Sequence, residues 1–447
     1  MLNSSVSTSK ELNLVNRNLK FLDYKDKLKT TIKFEKNKYI PFHGWYPFVE
    51  GFSEEFINGI LEEVNFKEVY CLEPFSGSGT TPLTLQNKNM TCYSYEVSPF
   101  MFMLSRVKLR TDYTNNGFFQ ALACLEKSIK EAYKHESGLL KPPAMSSMVD
   151  NGKRQKWLFH DEAMLGILDI KYAISTLNDK KYKDLFKIAL SSILLEVSNV
   201  YRNGKTVSYK KDWENIYISR KMVHELLYKQ LNERFLPDII SLQTSKRISG
   251  RLFTNYKNCS HGDVRLKINE CPNDFFNLVI TSPPYLNSRD YTDTYMVELW
   301  ALDFVKSYES VKKLRESTIR SHVQVKWNSE TILEIAELRT AYNNILEHKN
   351  EFWNGSIPDM ISGYFADMDT LFSKIYLKMV KGGKIYFNVA NSAYYGVHIP
   401  TDIIISQIAE RNGFYVDEIR IARHITPSSQ QKDLIQSLRE SVIVLTK

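Results

Sequence analysis

The chain has 447 residues, with 59 Lys and Arg against 51 Asp and Glu, for a net charge of +8. A hydrophobic fraction of 43% and a charged fraction of 25% exclude a disordered or fibrous chain, and no run reaches the ~18 apolar residues of a membrane helix. Five scattered cysteines without a CxxC pair and nine histidines without HExxH argue against a disulfide framework, and no metal is expected.

Residues 1–35 are polar and charge-mixed, carry no apolar leader segment, and read as an N-terminal arm of a cytoplasmic protein. Aromatic residues then cluster around His43-Gly44-Trp45. Ser53, followed by Glu54-Glu55 and by Phe56, Ile57, Ile60, Leu61 and Val64, has the N-cap, acidic first turn and apolar period of a helix of about twelve residues. Residues 68–72 predict a strand that runs into Glu73-Pro74-Phe75-Ser76-Gly77-Ser78-Gly79-Thr80-Thr81, after which Leu83 and Leu85 begin a helix. Strand, glycine-rich turn and helix make the first unit of a doubly wound sheet, with turn amides and a helix N-terminus facing a ligand. A second strand, TCYSYE, ends in Glu96, 23 residues beyond Glu73. That is near the ~20-residue offset at which an acid grips a ribose. No Lys follows the glycines, so the turn is not a phosphate loop, and the missing GxGxxG argues against a nicotinamide dehydrogenase.

Residues 111–250 lapse into helical periodicity, a large insertion that interrupts the sheet. Residues 151–250 hold 18 Lys and Arg against 11 Asp and Glu, which suits a polyanionic partner, with a solvated basic face as the alternative. The sheet pattern resumes near Arg251, His261-Gly262-Asp263 ends a probable strand, and Leu278-Val279-Ile280-Thr281 reads as a buried one. Pro283-Pro284 stops it, because neither proline can donate to a ladder, and leaves Ser282 and Tyr285 on a stiff turn. Hydroxyl and carbonyl oxygens there suit the hydrogens of an exocyclic amine, and the aromatic face suits its ring. Alone, SPPY is also compatible with an ordinary proline turn. A smaller insertion at 303–357 opens with a basic run. An amphipathic helix over 363–380, capped by Lys381-Gly382-Gly383, leads to the strand KIYFNVAN, and a helix from Thr401 or Asp402 to Arg411 leads to FYVDEIRIA and ESVIVLTK, with the last strand antiparallel.

EPFSGSGTT, YEVSP, HGD, TSPPY and KGGKIYFNVAN, in this order, resemble the S-adenosylmethionine-dependent amino-methyltransferases of DNA. The resemblance implies an α/β, Rossmann-like doubly wound sheet of seven strands with an antiparallel last strand. Residues 36–110 and 251–447 would form the catalytic domain, and the 111–250 insertion would supply DNA recognition. It implies S-adenosylmethionine as cofactor, with Phe75, Gly77 and Gly79 around it, Glu73 toward the methionine ammonium, Glu96 on the ribose hydroxyls and Asp263 on the adenine amine. Ser282 and the Pro283 carbonyl, stiffened by Pro284, would hold the target amine for direct transfer, and Tyr285 would stack on a flipped base.

The absence of a Pro-Cys pair removes the nucleophile that carbon methylation of cytosine needs. In this family Ser before PPY goes mostly with cytosine N4, and an acid or Asn with adenine N6, so cytosine N4 is favoured. Double-stranded DNA is the implied partner. Lys153, Arg154, Lys156, Arg202, Lys205, Lys210 and Lys211 are candidate phosphate contacts, and Arg315, Arg320 and Lys326 would hold the backbone near the flipped nucleotide. No nuclease motif is present, so any cleavage in a restriction-modification system would need a separate endonuclease. An RNA amino-methyltransferase and a non-catalytic DNA-binding protein are the competing readings: the first lacks a recognisable RNA-binding module, and the second should have lost the glycines or SPPY.

Overall fold

The computed structural model describes residues 19–150, 152, 155–203, 206–244, 253–287, 289–328, 331–427, 431 and 433–447. Its centre is a sheet of eight strands. In chain order they are β1 (Phe21–Asp23), β2 (Tyr70–Glu73), β3 (Thr91–Glu96), then, beyond a separate hairpin of β4 (Val200–Arg202) and β5 (Val207–Tyr209), β6 (Cys259–His261), β7 (Phe276–Thr281) and β8 (Met379–Ala390). A second small ribbon, β9 (Ser392–Tyr394) with β10 (Val397–Ile399), precedes β11 (Tyr415–Ile425) and β12 (Leu438–Thr446). The spatial order is β1-β11-β12-β8-β7-β2-β3-β6. β8, β7, β2, β3 and β6 run parallel, whereas β12 lies antiparallel to both β8 and β11. This is the expected α/β sheet with its antiparallel last strand.

One strand of the central sheet was not expected. The segment read as an arm contributes β1, which adds itself parallel to the edge strand β11 through Phe21, Leu22 and Asp23. Residues 1–18 of that arm lie outside the described residues.

The apolar patterning explains the layers. β7 is buried on both faces, as a central parallel strand must be: Val279 joins the core under the helices Ile357–Lys378 and Thr401–Arg411, while Leu278 and Ile280 join the core on the opposite side with Ile57 and Leu85. Ser53 caps Glu54–Glu63 as expected, accepting from the Phe56 amide at 3.4 Å. The long helix starts at Ile357 rather than near 363, with Pro358 in its first turn, and it ends at Lys378. The predicted Lys381-Gly382-Gly383 cap is instead part of β8.

Within 111–250 the helices Asn115–Tyr133, Asp161–Thr176, Lys180–Ile193 and Arg220–Gln230 pack on one another and on Pro99–Leu109, so their apolar core is continuous with that side of the sheet. A charge holds the bundle inside. Arg220 makes two 2.6 Å bonds to the buried Asp169 carboxylate. Trp45 Nε1 (2.7 Å) and the Phe42 amide (2.6 Å) both donate to Asp238, which ties the aromatic cluster near His43 to the insertion's final helix, Leu236–Thr244. No described helix is long and apolar enough to cross a membrane.

Candidate active site

Strand order reverses between β2 and β7, because β3 and β6 lie to one side and β8 to the other. In open α/β sheets the crevice beyond the carboxyl ends of the strands at such a switch point is where ligands bind. A cavity of about 440 Å³ occupies that place. It is walled by Pro74, Phe75 and Gly77 after β2, by Glu96 at the end of β3, by Gly262 and Asp263 after β6, by Ser282 to Tyr285 after β7, and by Asn388 of β8.

The β2 turn is shaped by two glycines with different jobs. Gly77 adopts φ +51 and its amide donates to Glu96 Oε2 at 2.7 Å. Gly79, at φ +84, does not line the cavity: a Cβ there would stand 2.5 Å from Ser105 Oγ, so it permits the helix Thr80–Asn87 to pack against Pro99–Leu109. The cofactor contact expected of Gly79 is thus replaced by a helix contact. The other Glu96 oxygen accepts from the Ser98 amide at 2.8 Å. Two backbone donors aim the carboxylate and leave each oxygen further lone-pair capacity toward the cavity. Burial pushes this carboxyl up to about 7, against the backbone hydrogen bonds that oppose it.

The other two acids expected to touch the cofactor are committed elsewhere. Glu73 is fully buried and is not among the cavity's walls. Its Oε1 accepts from the Phe75 amide (3.0 Å) and Thr281 Oγ1 (2.5 Å), and Oε2 from Thr81 Oγ1 (2.7 Å). It therefore ties the glycine turn to the residue before Ser282. Burial raises its carboxyl to about 8. Asp263 does reach the cavity edge, but it caps the short helix Val264–Lys267 and holds Arg265 through both oxygens at 2.8–3.0 Å. Three N–H donors of Arg265, with Nε shared between the two, thus engage both carboxylate oxygens.

Ser282, Pro283, Pro284 and Tyr285 all line the cavity. Behind them stands a cluster to which the sequence reading assigned no role. The Tyr285 hydroxyl donates to Glu440 Oε1 at 2.8 Å, Asn388 Nδ2 donates to the same phenol oxygen at 2.8 Å, and Arg423 Nε lies 2.5 Å from Glu440 Oε2. A polar Asn in KIYFNVAN and a Glu opening an apolar strand were the available signals. Arg289, just past the turn, also lines the cavity and reaches Glu50 at 3.3 Å.

The candidate phosphate contacts divide sharply. Lys153, Arg154 and Lys205 lie outside the described residues. Lys156, Lys211 and Lys326 are exposed. Arg202 is buried, donating to Glu298 at 2.5 Å, to the Tyr46 hydroxyl at 2.6 Å and to the Thr294 carbonyl at 3.0 Å. Lys210 donates to the carbonyls of Leu195, Glu196 and Ser198, just past the helix Lys180–Ile193. Arg315 is paired with Asp290 and Asp293, both at 2.6 Å, and Arg320 with Asp367 at 2.8 Å. These four cations are held by internal partners, so the free basic surface is smaller than the composition implies.

Comparison with known proteins gives a consistent result. The chain is 25% identical over 447 residues to Type II methyltransferase M.BsoBI of Geobacillus stearothermophilus, covering 90% of this chain and 84% of that one. It is 26% identical to M.AvaI of Nostoc sp. (87% and 82% covered) and 24% identical to M.MvaI of Kocuria varians (80% and 78%), both also Type II methyltransferases. The chain is a homologue of Type II DNA methyltransferases. No family model and no solved structure matches it. Methyltransferases of this type use S-adenosylmethionine as methyl donor, and the donor set fits that molecule: a carboxylate for a ribose diol, a backbone turn beside it, and an apolar wall from Phe75, in a cavity within the ~300–1,000 Å³ range of small-molecule sites. Among the described residues of this methyltransferase homologue, no group of His, Cys, Asp and Glu is arranged to hold a metal ion.

Proposed function

We propose that the protein is a DNA methyltransferase of a restriction-modification system, and that it methylates the exocyclic N4 of a cytosine flipped out of the duplex. The observation that carries the reading is the meeting of Glu96 and the Ser282 to Tyr285 turn in one cavity at the switch point of the sheet. S-adenosylmethionine supplies an electrophilic methyl group. Glu96 holds the nucleoside end through the ribose, with Gly77 keeping the turn close. Ser282 Oγ and the Pro283 carbonyl accept the two hydrogens of the target amine, which draws the nitrogen toward sp³ and aims its lone pair. Catalysis is then mainly positioning and preorganised dipoles. Tyr285 supplies the stacking face that offsets part of the few kcal/mol lost on flipping. Lys156, Lys211 and Lys326 serve as phosphate contacts, and a separate chain supplies any cleavage.

The test is to incubate the protein with duplex DNA and cofactor carrying a labelled methyl, then digest the DNA to nucleosides and weigh the product. N4-methylcytosine is expected. N6-methyladenine would replace the choice of base while leaving the enzyme class intact, and label found only in RNA would overturn the DNA reading.

A further inference from the structure

We propose that Glu440 is a positioning residue for the catalytic turn. Through the Tyr285 hydroxyl it sets the direction of the Ser282 hydroxyl, so that Ser282 meets the target amine as an acceptor. The proposal rests on the reading of that turn given above.

Glu440 lies on β12 beside Ala390 of β8 and Arg423 of β11, so three adjacent strands converge behind the turn that follows β7. It is 3% exposed, in a strand that continues through buried Ser441 into Val442, Ile443, Val444 and Leu445. A carboxylate so placed is costly unless paired, and its partners are Arg423 Nε at 2.5 Å, the Tyr285 hydroxyl at 2.8 Å and, at 3.4 Å, Asn388 Nδ2.

The polarity of the chain follows from what each group can do. A carboxylate only accepts, so the single phenol proton of Tyr285 goes to Glu440. Burial and the neighbouring Glu440 both push that phenol well above its ordinary range, which keeps the proton in place. The phenol oxygen is left to accept, from the Asn388 amide at 2.8 Å and from Ser282 Oγ at 3.3 Å. Ser282 therefore points its one hydrogen away from the cavity and presents lone pairs to it. If Glu440 could no longer accept, the phenol proton would be free to turn toward Ser282. The serine hydrogen would then face the amine, donor against donor.

Two variants and their combination test this. Tyr285→Phe keeps the ring and removes the hydroxyl. Glu440→Gln gives its one acceptor oxygen to the stronger, cationic donor Arg423 and turns its amide nitrogen to Tyr285, so the phenol loses its acceptor. In single-turnover methyl transfer each variant should be slower by roughly tenfold to a hundredfold, the range for a lost charge-assisted hydrogen bond. Cofactor and DNA affinities should stay within about twofold of wild type, because the effect is on the transfer step. The double variant should be no slower than Tyr285→Phe alone, since Glu440 acts only through the hydroxyl. Additive losses, or a wild-type rate in Glu440→Gln, would overturn the proposal. If Glu440→Gln does not fold, Tyr285→Phe decides it, because a wild-type rate there leaves Glu440 nothing to act through. A wild-type protein that puts no methyl on DNA would instead overturn the functional reading beneath it.

Discussion

At the scale of single residues, two buried acids give the molecule a pH signature. Glu96 has its carboxyl raised to about 7, so at lower pH it is protonated and offers the ribose a poorer acceptor. Cofactor affinity should rise as pH is taken from about 6 to about 8 and be flat in Glu96→Gln, by calorimetric titration. An equally flat wild-type curve would remove Glu96 from the ribose. Stability should move the other way. Glu73 and Glu96 bind protons more tightly folded than unfolded, so their contribution is complete below the ordinary carboxylate range and is lost as pH rises through about 7 and about 8. Denaturant midpoints should fall over that window in the apoprotein and fall less in Glu73→Gln. The types and places of these residues were legible in the sequence, but their partners were not. Glu73 and Glu96 both end β-rich runs beside the glycine turn, and only the fold reveals that Thr281, 208 positions away, claims one of them.

At the scale of elements, strands next to punctuation were readable and strands made by pairing alone were not. VITSPPY announces β7 through β-branched residues and a double proline, whereas Phe21-Leu22-Asp23 becomes a strand only because β11 offers an open edge. The hairpin of β4 and β5 falls inside the insertion read as helical, for a related reason. Its strands are three residues each, and Arg202, the cation that seemed to mark a phosphate contact, anchors it inward. Both members of the Arg202–Glu298 pair are buried, with side chains 6% and 1% exposed. Arg202→Ala should therefore cost about 3–5 kcal/mol in denaturant unfolding, because it leaves a buried carboxylate unpaired. Combining Arg202→Met with Glu298→Leu should recover part of that loss. Recovery should be incomplete, since the Tyr46 hydroxyl also donates to Glu298 and would be stranded. Full additivity of the two substitutions would mean that the pair is not coupled.

For the whole molecule, the net charge of +8 is a poor guide to where DNA docks until the internal ion pairs are taken away. Arg202, Lys210, Arg315 and Arg320 hold helices, loops and the hairpin in place, which leaves exposed lysines such as Lys211 and Lys326 to meet a polyanion. Each phosphate neutralised releases counterions, and each such contact adds about 0.9 to the slope of log affinity against log salt. If both lysines touch phosphate, Lys211→Glu with Lys326→Glu should flatten that slope by about two and weaken binding at low salt, with folding unchanged. Lys210→Glu should behave differently. It removes the donor shared by three carbonyls and puts a carboxylate against them, so stability should fall before any change in salt dependence is seen. Titrations of fluorescent duplex across a salt series, paired with denaturant unfolding of each variant, separate the two outcomes. An unchanged slope in the Lys211 and Lys326 double variant would mean that both lysines stay hydrated in the complex, and the DNA path would then have to cross another face.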